Sequence, residues 1–205
     1  MEALKASVVE YGVASQTLPG EHESGDQYLV KSSAYGALVA VIDGLGHGAD
    51  AAEAARLAVA VLDQHSAEGV IPLLRYCHAS LAATRGVVMS LAAFNAAEST
   101  MAWAGVGNVE GRLIRAGKRL SSGHESLMLR GGVVGGRVPP LRASVIPVSN
   151  GDTLVFATDG VTAGFSDEII PGDDPQEMAD SILKLYSKGT DDALVLVARY
   201  VGNLR

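Results

Sequence analysis

The sequence predicts an α+β layered sandwich. Short strand-like segments outnumber helical ones, and the helical segments fall in two blocks rather than alternating with strands. No internal repeat or long linker divides the 205 residues. A doubly wound parallel sheet needs strands and helices in alternation, so this order argues against one. Apolar residues make up 48% and charged residues 19%, enough for a sizeable core. The length is that of one domain, so residues 1–205 are read as a single unit.

The chain begins with SVVEYGVASQ (7–16), a first strand. QYLVKSS (27–33) and YGALVAVI (35–42) read as a hairpin turning at residues 33–35. Residues 51–62 are almost wholly apolar, which predicts a helix buried over most of its surface. Asp50 and Glu53 in its first turn suit the positive end of the helix dipole. A second helix is expected over 70–83, with Pro72 tolerated in its first turn. Then VVMSLAAFN, TMAWAGV, VEGRLIRA and KRLSS follow one another with turn residues between, as in an antiparallel meander. The segment 123–140 is glycine-rich and reads as a loop placed to flank a site. ASVIPVS and DTLVFATDG return to strand character. DDPQEMADSILKLYSK reads as a late helix and ALVLVARYV as a closing strand.

A net charge of −7 and a pI near 5.2 argue against a general binder of nucleic acid or anionic membrane. Arg112, Arg115, Lys118 and Arg119 form a local basic cluster, whose plain reading is a solvated hairpin. The single cysteine, Cys77, permits no internal disulfide and no CxxC metal site, and its helix-like surroundings make it a small buried side chain. No apolar run reaches the ~18 residues of a membrane helix. The opening MEALKASVVEYGV lacks a signal-peptide profile, and a cytoplasmic protein is expected.

Four acidic positions stand out, each at the end of an apolar strand and beside glycine or another aspartate. Asp26 follows Ser24-Gly25, Asp43 precedes Gly44, Asp159 precedes Gly160, and the pair Asp191-Asp192 precedes the closing strand. One such aspartate is ordinary turn or cap chemistry. Several gathered at one edge of a sheet would repel one another unless a cation lay between them. An all-oxygen donor set suits Mg²⁺ or Mn²⁺ rather than zinc. A bare Gly44 would let the backbone approach such an ion closely, with its carbonyl as a ligand. Two ions about 3.5–4 Å apart can hold a water and lower its pKa, the machinery for phosphate-ester hydrolysis.

Ser24-Gly25-Asp26, Asp43-Gly44-Leu45-Gly46-His47-Gly48, Gly105-Val106-Gly107-Asn108, Thr158-Asp159-Gly160 and Asp191-Asp192 occur in the order found in metal-dependent type-2C serine/threonine phosphatases. The chain most resembles the SpoIIE-type branch, in which DG(L/M)GHG is characteristic. Its short length and Arg85-Gly86 before a strand resemble the stressosome phosphatases of that branch. The resemblance spans about residues 20 to 200.

It implies a four-layer α-β-β-α sandwich with a central antiparallel β-sandwich and two Mn²⁺ or Mg²⁺ ions at one end. Asp43 would bridge both ions, the Gly44 carbonyl would bind one, and Asp26, Asp159 and Asp191 would complete the site directly or through water. Either Asp191 or Asp192 fills the last position, with Asp191 favoured by analogy. The implied reaction is direct attack of activated water on phosphoserine or phosphothreonine, with no phosphoenzyme. The implied substrates are phosphorylated STAS-domain stressosome proteins. His47 either orients water or protonates the leaving alkoxide, or else caps the helix that starts near Gly48. Asn108 sits in the family's glycine-Asn turn and is given a structural place beside the site.

The sequence departs from the wider family at three points. GEHESGD offers no phosphate-gripping arginine, only His22, so substrate-binding residues are unassigned. Ala193 stands where Thr is frequent, and VVMS replaces a strand with small hydroxyl residues. These departures keep a second reading open, a phosphatase fold that has lost activity and docks a signalling partner. A dinucleotide fold built on GLGHG is disfavoured, because the spacing is GxGxG. The acidic residue about 20 positions on, Asp63, lies in a helical pattern. A Walker loop lacks its lysine.

Overall fold

The computed structural model describes residues 7–33, 35–116, 124–165 and 172–202. Among the described residues, ten strands and three helices follow in the order β1 (Val9–Gln16), β2 (Asp26–Ser33), β3 (Gly36–Gly44), α1 (Ala49–Gln64), α2 (Val70–Ser80), β4 (Val87–Asn95), β5 (Thr100–Val106), β6 (Glu110–Ile114), β7 (His124–Ser126), β8 (Ser144–Pro147), β9 (Thr153–Ala157), α3 (Pro175–Tyr186) and β10 (Ala193–Tyr200). They build two five-stranded antiparallel sheets, ordered β1-β10-β9-β6-β7 and β2-β3-β4-β5-β8.

Side-chain alternation along β3 shows how the layers form. Val39 and Val41 point into the core between the sheets, with Trp103, Leu113, Phe156 and Leu196. Leu38, Ala40 and Ile42 point the other way, into a second core with α1 and α2. Both faces of the strand are covered, which is why ALVAVI reads as a continuous apolar run rather than an alternating one. On the far side, Met178, Ala179 and Ile182 of α3 pack on Val155, Val195 and Val197. The layers are therefore α1/α2, sheet, sheet, α3.

α1 approaches closely because its inner face is alanine: Ala51, Ala52, Ala54, Ala55 and Ala58 are all fully buried. The expectation that this helix is buried over most of its surface is corrected, since Leu57 and Ala60 are exposed and only one face meets the sheet. Small side chains make the sequence look more deeply buried than the helix is. α2 covers 70–80, and residues 81–84 leave the helix in a turn. Cys77 is fully buried between the two helices, its Sγ 3.9 Å from the Ala58 carbonyl, and burial pushes its thiol up to about 12.

The expected meander is split between the sheets. β4 and β5 pair in one, whereas β6 crosses to the other and pairs with β7 and β9. The crossing occurs at Gly107 and Asn108, where Gly107 has φ +100. KRLSS lies outside the described residues, as do Lys118, Arg119 and the middle of the residue 33–35 turn. The remaining members of the basic cluster are neutralised locally. Arg112 pairs with Glu110, and Arg115 pairs with Glu125 and Asp152. Among the described residues no helix is long and apolar enough to cross a membrane.

β1 forms one edge of its sheet, and α3 covers that edge. Gln176 accepts from Val13 N at 3.0 Å and donates to Val13 O at 2.8 Å, taking the place of a neighbouring strand. Asp174 caps the same helix, accepting from Gln176 N and Glu177 N. This closeness depends on Gly12, where a Cβ would fall 2.3 Å from the Gln176 backbone. Gly12→Ala is expected to lower stability by about 1–3 kcal/mol, the usual cost of overpacking, as a reduced urea midpoint. An unchanged midpoint would show that α3 does not rest on this contact.

Candidate metal centre

The acidic residues come together because the sandwich brings strand ends from both sheets to one edge. In the β2-β3-β4-β5-β8 sheet, antiparallel register sets Asp26 on β2 directly opposite Asp43 on β3. In the other sheet, Asp159 and Gly160 leave β9, and Asp191-Asp192 enter its neighbour β10. Thr158 ties the sheets together here, donating its hydroxyl to Asp26 Oδ2 at 2.7 Å and accepting from Leu194 N at 2.9 Å.

Asp43, Leu45, Gly46, His47, Val88, Asn108, Asp159 and Asp191 line one cavity of ≈ 230 Å³. Asp26 is only 5% exposed and, like the buried Gly44, is not part of that lining. Asn108 Nδ2 donates to Asp159 Oδ2 at 2.8 Å, so the turn asparagine touches a candidate ligand directly. Lys188 donates to the Asp159 carbonyl. The glycine-rich segment after β7 reaches the cavity wall through Val134, which bridges Val87 beside Val88.

The two members of the closing aspartate pair have separate situations. Asp192 is buried, and both its oxygens are engaged: Oδ1 accepts from Leu18 N and Oδ2 from Gly25 N, each at 2.7 Å. Asp191 faces the cavity and accepts from Asp192 N at 2.9 Å. Asp192 thus holds the segment leading into Asp26, which the sequence alone did not indicate.

The flanking glycines have a packing reason that the sequence reading did not give. A Cβ on Gly44 would lie 2.1 Å from the Ala51 carbonyl, and one on Gly160 would lie 1.9 Å from the Asp192 carbonyl. Both are required by backbone packing. The helix start at Gly48 requires φ +73, and no side chain caps it. The capping alternative for His47 is therefore corrected, because its Nδ1 is bonded instead to Glu21 Oε1 at 2.6 Å.

Burial and crowding act together on the carboxylates. Desolvation is the main cause that raises Asp26 to about 7, with Asp192, Asp159 and Asp191 adding repulsion and the Thr158 hydroxyl opposing it. Desolvation followed by repulsion from Asp26, Asp159 and Asp191 raises Asp43 to about 8. The donor set is carboxylate and carbonyl oxygen throughout, which suits hard divalent cations. Among the described residues no group of three or more His, Cys, Asp or Glu is disposed to enclose an ion by itself.

A raised folded-state pKa stabilises below the unfolded value and is lost as pH climbs through the folded one. In metal-free protein, the Asp26–Asp43 contribution should be complete near pH 4 and lost through about pH 7–8. Melting temperatures between pH 4 and 8.5 should fall less steeply for Asp43→Asn than for wild type. Mn²⁺ should raise the wild-type melting temperature most at the alkaline end. Parallel pH profiles for the two proteins would contradict this electrostatic account.

The model of the family described as Stage II sporulation protein E (SpoIIE) matches residues 33–201. A comparison with curated protein sequences finds no match. Among solved structures, a chain from work on the bacterial stressosome as a modular system adapted to control secondary messenger signalling is 28% identical. It has a TM-score of 0.84, with 93% of this chain and 99% of that one covered. RsbX in complex with magnesium is 20% identical, with a TM-score of 0.82 over 93% of this chain and 94% of that one. The catalytic domain of the serine/threonine phosphatase PstP with two manganese ions is 18% identical, with a TM-score of 0.73 over 96% and 100%. The match over most of the chain places this protein in the SpoIIE family, and its sandwich fold is shared with RsbX and PstP.

Proposed function

We propose that the chain hydrolyses phosphoserine and phosphothreonine on bacterial signalling proteins, with phosphorylated STAS-domain stressosome proteins as substrates. The observation that carries this reading is the convergence of Asp43, Asp159 and Asp191, from two different sheets, on one cavity. The stressosome context of the 28%-identical neighbour supports the substrate class.

In this reading Asp43, the Gly44 carbonyl, Asp26, Asp159 and Asp191 hold two Mn²⁺ or Mg²⁺ ions. When bound, such ions supply charge for the phosphoryl oxygens and lower the pKa of attacking water. The chain's residues do the rest. Asp26 and Asp43 fix the donor oxygens on rigid, register-paired strands, and Thr158 holds Asp26 in place. Asn108 orients the Asp159 carboxylate. His47 faces the same cavity and supplies a proton to the leaving oxygen. Val88 and Leu45 give the cavity apolar walls.

Mass-spectrometric loss of phosphate from phosphorylated STAS-domain proteins should require Mn²⁺ or Mg²⁺. Asp43→Asn should reduce the rate at least about 100-fold, beyond the 10–100-fold typical of residues one step outside a metal. Full metal-dependent activity in Asp43→Asn would exclude the bridging role. Absence of both metal-dependent release and Mn²⁺ binding in wild type would favour a docking module instead.

A further inference from the structure

The histidine in the cavity has a partner that the sequence does not single out. His47 Nδ1 lies 2.6 Å from Glu21 Oε1. An ionised carboxylate only accepts hydrogen bonds, so Nδ1 carries the hydrogen. Nε2 is then the ring nitrogen left for whatever occupies the cavity that His47 lines.

Glu21 is delivered to this place by a fixed segment. The Asp192 carboxylate clamps the segment at both ends, through Leu18 N and Gly25 N. Glu21 N closes a turn onto Leu18 O at 3.0 Å, and Glu23 pairs with Arg56 of α1 at 2.7 Å. A Cβ on Gly48 would fall 2.8 Å from Glu21 Oε2, so the bare helix start leaves room for the carboxylate. The His47 side chain is 63% exposed and that of Glu21 30%. A pair this open adds little to stability. Its consequence lies in the direction and tautomer of the ring.

We propose that Glu21 is a positioning residue that holds His47 so that Nε2 delivers a proton to the departing seryl or threonyl oxygen. This rests on the phosphatase reading above. As the oxygen of water bonds to phosphorus, the bond from phosphorus to the side-chain oxygen breaks. With the ring doubly protonated, the Nε2 proton passes to that oxygen, giving a free hydroxyl and inorganic phosphate and leaving a neutral ring with its hydrogen on Nδ1. The water's surplus proton goes to solvent, solvent reprotonates the ring, and Glu21 stays ionised throughout.

Leaving-group dependence separates this role from a structural one. A serine oxygen is a poor leaving group that gains from protonation, whereas 4-nitrophenolate departs without it. With Mn²⁺, Glu21→Ala should lose about 10- to 100-fold in kcat on a phosphoserine peptide. Its loss on 4-nitrophenyl phosphate should be at least about tenfold smaller. His47→Gln should show the same selectivity, and the double variant should be no worse than His47→Gln alone.

Two further measurements do not depend on turnover. Nitrogen-15 NMR of metal-free protein should find neutral His47 in the Nδ1–H form in wild type and shifted towards Nε2–H in Glu21→Ala. Calorimetric Mn²⁺ affinity should be the same in both. Equal losses on the two substrates, additive losses in the double variant, an unchanged tautomer or weakened Mn²⁺ binding would each overturn the Glu21 role. A wild type inactive on both substrates with Mn²⁺ would overturn the phosphatase reading and the proton delivery together, a different result from an active wild type with an indifferent Glu21.

Discussion

The acidic end of this molecule depends on one constraint: Asp26 and Asp43 face each other across an antiparallel strand pair, where solvent is scarce. Two carboxylates in such a place strongly disfavour being charged together. Strand pairing offers little slack, because a slip of one residue would turn the slipped strand's side chains to the wrong face. β3 is covered by helices on one side and by the opposite sheet on the other, so the register is held by both cores. The large apolar interior thus keeps an unfavourable charge arrangement in place. A divalent cation bound there would relieve it.

Around that pair, the neutral donors are used sparingly and specifically. Thr158 reaches Asp26 from the other sheet, and Asn108 reaches Asp159 from the crossing between sheets. Asp192 accepts a backbone N–H at each of its two oxygens, and so acts as a structural brace for residues 18–25. Asp191, one position earlier, keeps its carboxylate at the cavity. Adjacent residues entering a strand point to opposite sides, so two neighbouring aspartates meet different environments.

Much of the fold was legible in the sequence because burial imposes periodicity. β3 and β10 read as apolar runs since both faces are covered, and α3 announces itself through Asp174, Pro175 and an amphipathic pattern. Two readings failed for related reasons. The alanines of α1 look uniformly apolar, yet a small side chain is tolerated on an exposed face as readily as on a buried one. The run from β4 to β7 looks like one meander, yet turn residues do not encode which sheet the next strand joins. The glycines beside the aspartates were visible as a motif. Their reason, close approach of the Ala51 and Asp192 carbonyls, was not.

By itself the sequence determined the three helices and most of the strands, though not β7, which lies in a stretch read as loop, together with the all-oxygen character of the candidate ligands and the order of the aspartate blocks. These follow from residue type and short-range spacing. Only the tertiary structure decided that Asp191 faces the cavity while Asp192 braces a loop, and that Glu21 rather than a helix cap engages His47. Residues 21 and 47 are 26 positions apart, and Asp192 lies 167 positions from Gly25. Contacts over such separations are fixed by how two sheets stack, and local sequence carries no signal for that geometry.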